Sequence, residues 1–133
     1  MPALAQTSTA AVVTAGRRLL EEHGPDALTM RGVADAVGVR PPSLYKRVRG
    51  RADLLRLILD DVADELAAAL DAAASSGDPA ADLRSMGAAY RRFAHANPVA
   101  FTLMNAPPVR ALVEANESLP RSGIELRAAN LPR

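Results

Sequence analysis

Cysteine and tryptophan are both missing from the 133 residues, and only two Phe and two Tyr are present. Without cysteine there can be no disulfide, no thiolate metal site and no cysteine nucleophile. With so few aromatics, any interior must be filled by aliphatic side chains. No apolar run approaches the length that crosses a bilayer. The opening MPALAQTSTAAVVTAG lacks a basic n-region and a sustained apolar stretch, which makes it a poor secretory signal. No membrane partner and a cytoplasmic location are therefore expected. Phosphate-loop, dinucleotide and nucleophile-elbow patterns are missing as well, so neither an enzyme nor a cofactor is expected. His23 and His95 each lack a second ligand in helical register, which gives no reason to expect a metal site.

What is present is alanine, with Val, Ile and Thr scattered rather than alternating. That pattern implies helices packed on helices, an all-α fold. A chain of this length buries roughly two-thirds of its unfolded surface, enough for one domain or a small head on a modest body. After a flexible start at residues 1–8, apolar spacing predicts a first helix over 9–23, with Val12, Ala15, Gly16, Leu19 and Leu20 inward. Gly24-Pro25 ends it. Thr29 is a good N-cap for a second helix carrying Val33, Ala34 and Val37, and Gly38 supplies a sharp turn. A third helix over 40–48 starts with Pro41 and Pro42, where a missing amide costs nothing. A long fourth helix from Arg51 to about residue 74 carries a stripe of Leu55, Ile58, Leu59, Val62, Leu66, Ala69 and Ala73. Asp78-Pro79 and Asn97-Pro98 open a fifth and a sixth helix. The fifth places Leu83, Met86, Ala89, Tyr90 and Phe93 along one side. Pro107-Pro108 opens a seventh around Val109, Leu112 and Val113, and residues 119–133 are expected to be a poorly ordered tail.

Within this order, residues 29–51 carry the most information. Arg40, Lys46, Arg47, Arg49 and Arg51 follow one another with no Asp or Glu among them. A short amphipathic helix, a tight turn and a second basic helix form a helix-turn-helix, the arrangement that seats one helix in the DNA major groove. With Leu44 and Val48 inward, Pro42 and Lys46 face outward, flanked by Tyr45, Ser43 and Arg47. Charge is divided in the same sense. Residues 1–56 hold nine Lys/Arg against five Asp/Glu, and residues 57–133 hold seven against ten. A basic head on an acidic body suits contact with phosphate at one end only. The plain alternative is a solvated basic face, and for Tyr45 a half-buried brace for a small domain. The acidic group Asp60, Asp61, Asp64 and Glu65 reads as a solvated helix face.

The same features resemble the DNA-binding head of the TetR family of bacterial transcriptional repressors. They include the helix-ending Gly24, the Thr29 cap with Val33-Ala34, the Gly38-Val39 turn and Leu44-Tyr45. They also include the basic Arg51 before Leu54-Leu55. The phrase VRPPSLYKRVRGRADLLRLI and the segment AYRRFAHANPVAFTLM are similar to the subgroup whose C-terminal domain carries a Trp-His-Gly signature. Two positions depart from the pattern: Val48 stands where the family usually has Phe, and Arg51 where it has Lys. With no Trp, the chain is expected to be short or truncated relative to that subgroup.

The resemblance implies a three-helix head at 9–50, joined by the long fourth helix to an incomplete regulatory body at 51–118. It implies that the third helix enters the groove. There Thr29, Ser43, Tyr45 and Lys46 would contact phosphates, and Arg51 with the start of the fourth helix would form a second phosphate anchor. Arg31 and Arg40 could fork onto guanine edges, with Pro41 and Pro42 against thymine methyls and Arg47 beside them. The implied function is a ligand-responsive repressor. Its implied partners are double-stranded DNA with a palindromic operator and an unknown small-molecule effector. A homodimer is expected from the family, although the helices that usually build it are not found. Tyr90, Phe93, His95 and Met104 are candidate effector-lining residues, against ordinary packing on the fourth helix. The competing expectation is a truncated helical interaction module that pairs with a full-length relative instead of binding DNA alone.

Overall fold

The computed structural model describes residues 8–106, and these are all-helical, with no strand among them. The helices are α1 (Thr9–His23), a 3₁₀ turn (Pro25–Ala27), α2 (Met30–Val37), α3 (Pro41–Leu44), α4 (Arg51–Ala73), α5 (Pro79–Ala96) and α6 (Pro98–Met104). The expected helix near Val109 and the tail at 119–133 lie outside the described residues, as does the expected flexible start except for Ser8.

Three of the helices, α1, α2 and α5, start where a side chain satisfies an unpaired amide. Ser8 Oγ accepts from Ala11 N at 3.1 Å, and Thr29 Oγ1 from Gly32 N at 2.9 Å. Asp78 Oδ1 accepts from Ala80 N at 3.2 Å, with Pro79 in the first turn of α5. In α4, Asp53 Oδ2 accepts from Arg49 N at 3.0 Å, and its other oxygen pairs with Arg56 Nη2 at 2.8 Å. The Arg49 amide, then the Arg56 guanidinium, hold the Asp53 carboxyl below its ordinary pKa.

The chain divides into two compact units between Leu59 and Asp60. The sequence placed that division at residue 50, but the first turns of α4 belong to the head. Gly16 of α1 explains why: a Cβ built there would stand 2.8 Å from Ile58 Cδ1 and 3.5 Å from Leu54 Cδ1. Glycine leaves room for the Ile58 side chain against α1, and Val12, Leu20, Leu28, Val33, Leu44, Leu54 and Ile58 are all fully buried. Leu54 and Leu28 were not on the expected inner faces. Leu28 has a readable signal: it sits one residue before the α2 cap, the place of a hydrophobic staple, with Val33 at the paired position. Leu55, expected in the core, is only partly buried.

In the second unit Val62, Ala63 and Leu66 of α4 are buried, as are Ala89 and Phe93 of α5 and Ala100 of α6. Buried Asn97 donates through Nδ2 to Phe93 O at 3.2 Å, so its polarity is satisfied. The expected inner side of α5 was too wide. Leu83 is 72% exposed and Tyr90 43% exposed. At about 100° per residue the five expected positions cover an arc of roughly 120°, and only Ala89 and Phe93 lie at its buried end.

Candidate nucleic-acid interface

The turn between α2 and α3 is built on one glycine. Gly38 ends α2 at φ 75°, ψ 30°, a left-handed conformation that costs an L side chain about 1–2 kcal/mol. Its amide donates to Ala34 O and Asp35 O, and Val39 N donates to Ala34 O at 3.0 Å, closing the helix end. Three residues later the chain is helical again at Pro41.

The third helix is shorter than the 40–48 expected. Its α-helical part is Pro41–Leu44, followed by a tightened turn in which Arg47 N and Val48 N both donate to Leu44 O, at 2.8 and 2.9 Å. One physical cause ends it early: Arg49 N, which would otherwise continue the helix, is taken by the Asp53 carboxylate that opens α4. Leu44 and Val48 are nevertheless buried, 0% and 2% exposed, so the segment is held from below.

Its outer side is uncovered. Arg40, Pro42, Ser43, Tyr45, Lys46 and Arg47 are all exposed, and Pro41 is half-buried. Thr29 and Arg31, at the start of α2, are exposed as well. Among the described residues no carboxylate pairs with Arg31, Arg40, Lys46 or Arg47. Thr29 spends a lone pair on its cap and keeps a hydroxyl proton for an outside acceptor. The result is an exposed basic segment with hydroxyls beside the cations, mounted on a packed base. Such a surface can neutralise phosphates and reach base edges.

Arg51 is arranged differently from the other cations. Its Nε donates to Leu28 O at 2.7 Å and its Nη2 to Pro25 O at 2.8 Å. The guanidinium thus spans from the first residue of α4 to the segment that leads into α2. Sequence reasoning assigned it to phosphate and did not anticipate this bond pair, which depends on a contact 23 residues back along the chain.

The four candidate effector residues are not brought together as one wall. Tyr90 packs edge-on to Phe101, with ring centroids 5.3 Å apart and planes at 79°. Phe93 is buried, whereas His95, about 200° further round α5, is exposed. Met104 is partly buried on α6. No group of three or more His, Cys, Asp or Glu in metal-binding proximity occurs among the described residues. Among those residues, too, no helix is long and apolar enough to cross a membrane.

A helical head of this kind, two short helices joined by a tight glycine turn with an exposed basic segment beyond it, is a helix-turn-helix head. The model for bacterial regulatory proteins of the tetR family matches residues 12–58, and the chain belongs to the TetR family. Among curated proteins it is similar to an HTH-type transcriptional regulator of Mycobacterium bovis. Identity is 32% over 103 residues, covering 75% of this chain and 44% of the relative. An uncharacterized HTH-type transcriptional regulator of Mycobacterium tuberculosis is 28% identical over 105 residues, covering 79% of this chain and 48% of that one. The chain thus spans under half the length of these relatives. A solved structure from Shewanella sp. PV-4, described as a tetR family transcription regulator, superposes with a TM-score of 0.67 at 26% identity. It covers 84% of this chain and 62% of that one. A transcription regulator from Lactobacillus plantarum shares the fold, with a TM-score of 0.55 at 18% identity over 93% of this chain and 74% of that one.

Proposed function

We propose that this chain regulates transcription by seating α3 and the turn after it in the DNA major groove, as a repressor released by a small-molecule effector. The observation that carries the DNA-binding part is the exposed run Arg40–Arg47 above buried Leu44 and Val48. In this reading Tyr45, Ser43 and Thr29 donate hydroxyl protons to phosphates, and Lys46 and Arg47 add charge. Arg40 and Arg31 reach guanine edges, each bidentate contact discriminating by roughly 1–3 kcal/mol, while Pro41 and Pro42 meet thymine methyls. Repression, the effector and action as a homodimer on a palindromic operator rest on the family relationship. A ligand held by the helical body would release DNA only as far as it prefers the released conformation.

Two substitutions test the assignment of α3. Tyr45→Phe should weaken duplex binding about fivefold, the value of one hydrogen bond near 1 kcal/mol. Lys46→Ala should flatten the dependence of log affinity on log salt by about 0.9, one phosphate contact. Both side chains are exposed, so melting temperatures should stay at the wild-type value. Wild-type affinity in both variants, measured by fluorescence anisotropy, would remove α3 from the interface.

A further inference from the structure

We infer that Arg51 is a positioning residue for the DNA-reading segment, and that it acts through backbone carbonyls of its own chain rather than through a DNA phosphate. This rests on the DNA-binding reading above. The segment from Val39 to Gly50 is a connection between α2 and α4, and its presentation depends on how its two ends are held. Gly38 fixes the first end through the bonds that close α2. At the second end, Arg51 Nε and Nη2 reach back to Leu28 O and Pro25 O at 2.7 and 2.8 Å, and Asp53 takes the Arg49 amide at 3.0 Å. Leu28 immediately precedes the Thr29 cap, so the clasp ties the first residue of α4 to the entry of α2. The reading segment is thereby closed into a loop with a fixed mouth.

The chemistry of the clasp requires arginine. Two carbonyls three residues apart are bridged by two N–H groups diverging from one planar fork, each bond charge-assisted. A lysine ammonium is a single point on a flexible stem and would serve one carbonyl well or both poorly. A phosphate anchor makes the opposite demand, because either cation satisfies a phosphate. Lysine and arginine therefore separate the two roles.

The experiment compares the full chain with its Arg51→Lys and Arg51→Met variants. Binding to a fluorescein-labelled mixed-sequence duplex of about 30 base pairs is titrated over a range of salt, under conditions where circular dichroism finds all three folded. Urea midpoints are measured in parallel. For a clasp, Lys fails to rescue. Both variants bind about tenfold more weakly, the salt slope stays within about 0.3 of wild type, and both urea midpoints fall. The inference is overturned if Arg51→Lys keeps wild-type affinity while Arg51→Met loses it with a slope lower by about 0.9, the mark of a lost phosphate contact. It is overturned equally if both variants keep wild-type affinity. Failure of the wild type to bind any duplex overturns the DNA-binding reading itself, and the positioning role falls with it. The clasp as a bond is then judged by urea alone, holding if both midpoints fall and failing if neither does.

Discussion

Leu44→Ala should unfold the head at temperatures where the wild type is stable, and DNA binding should vanish with it. Leu44 is fully buried although it belongs to a helix of four residues. So short a helix has no stability of its own, since nucleation is unfavourable and few internal bonds follow. What holds α3 in place is the insertion of Leu44, and then Val48, among the other buried aliphatic side chains of the head. Removing a buried leucine costs about 2–5 kcal/mol, through lost transfer energy and the cavity left behind. A domain with total stability near 5–15 kcal/mol loses a large share of it. The measurement is a urea titration followed by circular dichroism, in which the transition should move to markedly lower denaturant. The contrast with Lys46→Ala is informative because the two residues lie two positions apart. One should change stability and the other affinity, and a stable Leu44→Ala protein with intact binding would contradict the packing described here.

Phe93→Ala should damage the other unit to a similar degree. Phe93 is 6% exposed, and the side chains buried with it in that unit are small or aliphatic: Val62, Ala63, Leu66, Ala89 and Ala100. It is the only buried aromatic side chain among the described residues. Truncation to alanine typically costs about 3–5 kcal/mol, and a core so rich in alanine has little bulk with which to fill the void. The expected result is early loss of the α5 and α6 amides in hydrogen exchange, with the amides of α1 and α2 still protected. If all helices exchanged together, the two units would have to unfold as one, against the division between Leu59 and Asp60. Tyr90→Ala is a useful companion. Its ring is 43% exposed, so a much smaller loss is expected.

Much of this molecule was legible in the sequence because its signals are local. Thr29, Gly38, Asp78-Pro79 and Asn97-Pro98 mark helix ends by capping chemistry that depends on a few adjacent residues, and helices begin or end at each. The outward face of 40–47 followed from the inward pair Leu44 and Val48 by helical geometry alone. What stayed hidden depends on distant partners. Leu54 rather than Leu55 is fully buried because α4 meets α1 at Gly16, a contact that spacing within α4 does not reveal. Arg51 looked like one more cation in a basic run until the carbonyls of Pro25 and Leu28 arrived beside it. Leu83 and Tyr90 followed the apolar spacing of α5 yet remain exposed, because periodicity gives the direction of a face but not its width. The length of α3 was overestimated for a related reason. Competition for the Arg49 amide by Asp53 belongs to the next helix, not to the one being counted.

The measurement that tests the central claim most directly is selection from a random duplex pool with the purified full chain at physiological salt. If the exposed run Arg40–Arg47 reads DNA, the pool should converge on a defined sequence, and the combined Tyr45→Phe, Lys46→Ala variant should hold the recovered duplexes more weakly without changing their sequence. An inverted repeat in the recovered duplexes would support action as a dimer on a two-fold operator. A pool that never converges, with only weak, salt-sensitive retention that the double variant leaves unchanged, would contradict the account.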